Sequence, residues 1–290
     1  MILVNGNKVE IEYFPNKESK VKEFPVSSEG NVKNVVELFY EDDRDLTHLL
    51  FVKKYIDERP YSYPSHLVIH YMPYSRMDRK IEGDIYTLKY ICEFITKLQF
   101  PMIYVVDPHS AATSQLLFVP GRKPGRESDS PRIINPMKEW GGIVLNEIGF
   151  YPPLDCIVLP DKGAYNKYHD MCEKTNLNVR TFDKERCPTT GKILNMKLTQ
   201  PIPSGCDKAV IIDDICSYGG TFYTAGQILR DIGVNDITLI VTHLEESVFE
   251  GNLLCDNSPI TRIYTSNSII RTQTHPKINI LPININNYIK

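Results

Sequence analysis

The residues from Ala209 to Thr224, AVIIDDICSYGGTFYT, hold the densest chemistry in this 290-residue chain. A hydrophobic strand runs into two adjacent acids, Asp213 and Asp214. A small-residue loop follows, Ser217, Tyr218, Gly219 and Gly220, and Thr221 opens a helix. In open α/β sheets, ligands sit at the carboxyl ends of strands. Glycines let backbone N–H groups approach a phosphate closely, and a helix N-terminus favours an anion. Two adjacent carboxylates cannot serve the phosphate directly, but they suit sugar hydroxyls or a magnesium ion beside it. The string therefore describes a ribose-phosphate pocket, with acids for the ring hydroxyls and Ser217 to Thr221 for a 5-phosphate. The plain alternative is a strand–turn–helix whose acids cap the helix. A Gly-Gly pair alone deserves that alternative; the full string is far more specific.

Such a pocket needs a sheet to carry it, and the chain alternates β-rich runs with helical ones. Leu67–Tyr71 and Met102–Val106 read as buried strands. Between them Ile85, Leu88, Cys92, Ile95 and Leu98 recur at helical spacing, which makes strand–helix–strand and a parallel sheet. A second series runs through Cys156–Leu159, Val179–Phe182, Ala209–Ile212, a helix from about Thr221 to Ile232, and Ile237–Val241. Two α/β units in line are expected, residues 1–134 and 135–290. The join, Val119–Pro136, is rich in Pro and Gly and reads as a loop. It is either an exposed linker or a place where Arg122, Lys123 and Arg126 meet an anionic ligand.

Composition narrows the partners. There are 33 Lys+Arg against 36 Asp+Glu, a net charge of −3, so no broad basic field exists to attract nucleic acid. With 42% hydrophobic residues the chain can bury a large core. No long apolar stretch or signal-like N-terminus is visible, so no membrane partner is expected. The seven cysteines are odd in number, widely spaced and without a C-x-x-C pair, which fits a reducing, cytoplasmic setting.

Five further segments, in order, sharpen the reading: Phe14–Glu18 (FPNKE), Tyr71–Arg79 (YMPYSRMDR), Asp107–Ser110 (DPHS), Leu159–Ala164 (LPDKGA) and Asp183–Arg186 (DKER). With the Asp213–Thr221 loop they resemble the ribose-phosphate diphosphokinases, or PRPP synthetases, from about residue 14 to residue 245. The resemblance implies two tandem type I phosphoribosyltransferase-like domains, each a mainly parallel sheet flanked by helices. It implies transfer of the β,γ-diphosphoryl group of ATP to the anomeric hydroxyl of a ribose, releasing AMP. A phosphoribosyltransferase consuming PRPP, or a non-catalytic regulatory subunit on the same fold, are the competing readings.

The resemblance also assigns roles. Lys184 and Arg186 match the basic pair of a mobile catalytic loop, with Cys187–Ser204 as its polar continuation; on residue type alone they are two solvated charges. His109 and Asp161 match magnesium positions, although magnesium prefers oxygen, so a water-bridged or phosphate-contacting His109 is equally acceptable, and either residue could instead be a loop cap. Arg76 would contact ATP, with Asn16 and Glu18 recognising base and sugar from across a subunit contact, so a homo-oligomer is expected.

Two departures matter. Ser217 and Tyr218 stand where the family carries Asp-Thr, and an aromatic ring beside the phosphate nest suits an acceptor whose 5-phosphate is extended. ADP-ribose is such an acceptor, and PRPP-synthetase-like enzymes that pyrophosphorylate it are known in phage pathways that rebuild NAD; a phage-encoded chain would act in host cytoplasm. ADP-ribose is therefore set slightly ahead of ribose 5-phosphate, the alternative being a ring turned to solvent with ribose 5-phosphate bound. Met77 stands at the second departure, where the family has Gln; it can pack against adenine but cannot hydrogen-bond as an amide does.

Overall fold

The protein is described here from a computed structural model, which covers residues 1–27, 33–59, 64–117, 130–173, 177–186 and 193–289. The chain divides into two compact units, Met1–Asn135 and Pro136–Lys290. The basic stretch holding Arg122, Lys123 and Arg126 lies outside the described residues.

The first unit opens with short strands β1 (Ile2–Val4), β2 (Asn7–Lys8), β3 (Ile11–Tyr13) and β4 (Ser19–Val21). It continues with β5 (Asn34–Leu38), α1 (Arg44–Glu58), β6 (Ser65–Ile69), α2 (Thr87–Lys97), β7 (Met102–Val106), α3 (Ala112–Leu116) and β8 (Arg132–Ile134). The sheet order is β2-β1-β5-β6-β7-β8, parallel from β5 to β8. The helical spacing is realised in α2, where Leu88, Cys92 and Ile95 are fully buried. Burying each Leu or Ile stabilises the unit by roughly 1.5–3 kcal/mol. Ile85 does not belong to that stripe: it precedes the helix and is 69% exposed.

The second unit contains α4 (Met137–Glu147), β9 (Cys156–Leu159), α5 (Lys162–Glu173), β10 (Asn178–Arg186), β11 (Ile193–Leu198), β12 (Lys208–Cys216), α6 (Gly220–Asp231), β13 (Asp236–Leu244), β14 (Arg262–Ser266) and β15 (Ile278–Leu281). Its sheet order is β11-β10-β9-β12-β13-β14-β15, parallel except for the β10–β11 hairpin. Chain order reverses around β9, with β10 on one side and β12 on the other. Such a switch point opens a crevice at the carboxyl ends of the strands. Both units thus have the α/β architecture expected, each a mainly parallel sheet with helices.

Two local expectations change. Asp213 and Asp214 do not end the strand; β12 runs on to Cys216, with Asp213 beside Val241 and Cys216 beside Leu244. Part of Cys187–Ser204 is a strand rather than loop. Ile193–Leu198 pairs antiparallel with β10, which places Lys184 opposite Met196. Residues 187–192 lie outside the described residues.

Candidate functional site

Three strand ends build the site of the second unit. Leu159 of β9 lies beside Thr181 of β10, and Val158 of β9 beside Ile211 of β12. Asp161, Lys184 and Asp213, each two or three residues further on, therefore reach the same sheet edge. Asp161 caps α5: its Oδ1 accepts from the Ala164 N–H at 3.0 Å. Gly163 makes room for this, since a Cβ there would stand 3.1 Å from the same oxygen. The other oxygen, Oδ2, accepts from the Lys184 Nζ at 2.5 Å, and the Lys184 side chain is only 9% exposed. Burial alone would push the Asp161 carboxyl up; Lys184 and the α5 N–H groups outweigh it and hold it below the ordinary range.

Asp213 behaves oppositely. Burial first, then the charges of Asp214 and Asp161, push its carboxyl well above the ordinary range. Asp214 donates its backbone N–H to Asp213 Oδ1 at 2.9 Å, while its carboxylate lies 3.9 Å from the Lys167 Nζ on α5. A raised carboxyl pKa means that the folded state holds the proton longer than the unfolded chain. Its contribution therefore fades as pH rises above the ordinary carboxylate range. We predict that Asp213→Asn raises the melting temperature, by about 2–4 °C for each kcal/mol relieved. The gain should grow as pH rises above the ordinary carboxylate range, about pH 4. Thermal melts across that rise in pH test it, and a variant that melts lower at every pH would contradict it.

The loop after β12 is held from behind. Gly219 is left-handed (φ +80°), and a Cβ there would meet Leu253 Cδ1 at 2.2 Å. Gly251 packs against Tyr218: a Cβ at 251 would fall 2.0 Å from the Tyr218 carbonyl oxygen. The Ser217 and Ser247 hydroxyls are hydrogen-bonded at 2.9 Å, and the Glu245 N–H donates to the Cys216 carbonyl at 2.8 Å. The loop then enters α6 at Gly220 and Thr221, with the Tyr218 side chain 58% exposed. Ser247, Gly251 and Leu253 were invisible as site residues in the sequence. The available signal was topological: whatever follows β13 must lie beside whatever follows its neighbour β12.

Arg186 closes β10 opposite Ile193, across a shift in register. The remaining candidates lie in the first unit. Asn16 and Glu18 occupy the tight turn of the β3–β4 hairpin, where the Asn16 side-chain oxygen accepts from the Glu18 N–H at 3.1 Å. Arg76 is exposed and Met77 half-buried in the segment after β6, and His109 is exposed just after β7.

Among the described residues no group of three His, Cys, Asp or Glu is arranged to hold a metal ion. The half-buried Asp213, crowded by the charge of Asp214, nevertheless fits a hard divalent cation, which would take the place of its proton. Magnesium commonly takes one or two carboxylates and completes its shell with substrate phosphate and water. Asp161 would have to release Lys184 to serve as such a ligand. A cavity of about 530 Å³ elsewhere in the unit is lined by Tyr165, His169, Thr181 and Asp183, and by none of the ribose-phosphate candidates.

Comparison with known proteins now decides the family. No protein-family model matches the chain. The ribose-phosphate pyrophosphokinase of Pyrococcus furiosus is 30% identical over 241 residues, 81% of this chain and 77% of that one. The chain belongs to the ribose-phosphate pyrophosphokinase family. The Sulfurisphaera tokodaii member is 26% identical over 265 residues, 90% of this chain and 84% of its own. Phosphoribosylpyrophosphate synthetase from Mycobacterium smegmatis shares the fold, with a TM-score of 0.71 at 17% identity over 95% of this chain and 86% of that one. As a family member the protein is an enzyme, a diphosphokinase.

Proposed function

We propose that the protein moves the β,γ-diphosphoryl group of ATP onto the anomeric hydroxyl of a ribose carrying phosphate at its 5-position, and releases AMP. The observation that carries this reading is the meeting of Lys184, Asp161 and Asp213 at one sheet edge, in the unit that bears the braced Ser217–Thr221 loop. In this reading Asp213 and Asp214 hold the ribose hydroxyls, and Ser217, Gly219, Gly220 and Thr221 hold the 5-phosphate. Lys184 and Arg186 stabilise the charge that builds on the phosphoryl oxygens, where catalysis is mostly positioning and electrostatics. Arg76, Asn16, Glu18 and Met77 receive the nucleotide. Magnesium, held through Asp213 or Asp214 or at the family positions Asp161 and His109, would neutralise phosphate charge when bound.

For the acceptor we place ADP-ribose ahead of ribose 5-phosphate. The support is Tyr218: its backbone is pinned by Gly251, while more than half of its side chain remains in water beside the loop. An exposed ring there offers a stacking face to an extended 5-phosphate substituent and no small hydroxyl to a terminal phosphate. The test supplies Mg-ATP with each acceptor, quantifies AMP and identifies the product by mass. No AMP with either acceptor would refute the diphosphokinase reading, and AMP with ribose 5-phosphate alone would refute the preference. Tyr218→Thr is expected to shift kcat/KM about tenfold toward ribose 5-phosphate, the discrimination a single pocket contact supplies.

The same reading takes a homo-oligomer, in which the exposed Phe14–Glu18 turn faces a neighbouring copy. It also takes a reducing compartment. The Cys206 thiol lies 3.6 Å from the Cys156 sulfur, a pair whose free-thiol state such a compartment would preserve.

A further inference from the structure

In the first unit, β5 and β6 are parallel neighbours, so the segments that leave them run side by side. The His70 N–H donates to the Leu38 carbonyl at 3.0 Å, and the Phe39 ring stacks on His70 at 3.8 Å. Just beyond, Tyr40 and Tyr74 meet at one atom. Both hydroxyls donate to Oδ1 of Asp43, Tyr40 at 2.6 Å and Tyr74 in a still closer contact. Asp43 stands at the N-cap position of α1, yet its side chain makes no capping bond. The carboxylate is committed to the two phenols instead. Those bonds, Tyr40's first, hold its carboxyl below the ordinary range; the Tyr74 phenol is pushed up chiefly by its bond to Asp43, and the Tyr40 phenol by burial first and then by Asp43.

Tyr74 has a second peculiarity. Its φ is +59°, the left-handed region that an aromatic residue rarely adopts. The Met77 N–H closes the turn onto the Tyr74 carbonyl at 2.9 Å. This reversal buries Ser75, 2% exposed, and turns Arg76 outward. An unfavourable backbone persists only where its surroundings over-determine it. Asp43 is the group that fixes the far end of the Tyr74 side chain.

We propose that Asp43 is a positioning residue for nucleotide binding: by clasping the Tyr74 hydroxyl it maintains the left-handed turn that presents Arg76 to ATP phosphate. The proposal rests on the reading of Arg76 as a nucleotide contact. Asp43 itself touches no substrate, so its removal loosens ATP without altering acceptor binding or the transfer step.

Steady-state kinetics with both substrates varied, together with calorimetric ATP binding, test it on Arg76→Ala, Tyr74→Phe, Asp43→Ala and Asp43→Asn. Tyr74→Phe deletes one oxygen at a half-buried position and keeps the ring. The expected result is an ATP KM raised about tenfold in Tyr74→Phe and in Asp43→Ala, with kcat and acceptor KM within about twofold. The double variant should be no worse than Asp43→Ala, which already removes the Tyr74 bond. Asp43→Asn, which keeps an oxygen acceptor, should recover a large part of the loss. An Arg76→Ala variant with raised ATP KM, beside Tyr74→Phe and Asp43→Ala variants with unchanged ATP KM, would overturn the clasp and leave the nucleotide reading standing. An Arg76→Ala variant with unchanged ATP KM would overturn that reading itself. Parallel losses in kcat, both KM values and melting temperature would mark Asp43 as merely structural and also overturn the proposal.

Discussion

Lys184→Ala is expected to lower kcat about a thousandfold, the scale on which a single preorganised charge-stabilising group acts in a closed site. The Lys184 side chain is only 9% exposed, and a buried ammonium persists because it is paired. Asp161 supplies that pairing while also capping α5. Its Oδ1 stays bonded to the helix, so Oδ2 alone holds the lysine, which can pass to substrate phosphoryl oxygens without unmaking the cap. Stability should change less than rate, because the cap survives in the variant. The Asp161 carboxyl, held down partly by Lys184, should titrate higher once the ammonium is gone. Rapid-quench measurement of AMP formation separates the transfer step from product release. A variant whose single-turnover AMP formation runs at the wild-type rate would remove Lys184 from the chemistry. Lys184→Arg, which keeps the charge in a different shape, should recover only part of the rate.

The second large effect is expected at Gly251, a residue outside every motif. Gly251→Ala would place a methyl carbon 2.0 Å from the Tyr218 carbonyl oxygen. That neighbour is backbone, so the clash is relieved only by moving the loop. Misplacing a substrate-holding element by about 1 Å can cost on the order of a hundredfold in rate. The loss should appear in kcat/KM for the acceptor, with ATP binding retained. Acceptor titrations at saturating ATP check this, and an unchanged acceptor KM and kcat would show that the loop tolerates displacement. Gly219→Ala is a useful companion. It meets both a left-handed backbone and the buried Leu253 side chain, so it should reduce stability as well as activity.

Much of the sheet was legible because its strands are apolar runs. Met102–Val106 and Cys156–Leu159 form strands over the expected residues, and α2 buries the apolar positions that marked it as a helix. The short strands β1 to β4 gave no such signal. They have only two or three residues each, too few for a period to develop, and β2 to β4 lie largely in water. The strand β11 was hidden for a related reason. Its sequence ILNMKL buries only Met196 and leaves Leu194 63% exposed, so an edge strand looked like polar loop. The extension of β12 through Asp213 and Asp214 was masked by the acids themselves. They are unfavourable in a strand by propensity, and pairing with β13 overrides this.

The sequence by itself determined the order of the chemistry: an acid pair, a glycine loop, a basic pair and their place after strands. Those features depend on residue type and neighbours along the chain, which any reader of the chain can see. Only the tertiary structure decided who meets whom. That Lys184 rests on Asp161, that burial and then the charges of Asp214 and Asp161 push the Asp213 carboxyl up, and that Gly251 packs against Tyr218 all follow from strand order. Hydrogen-bonding across a parallel sheet joins residues far apart in the chain, and no local pattern encodes that pairing.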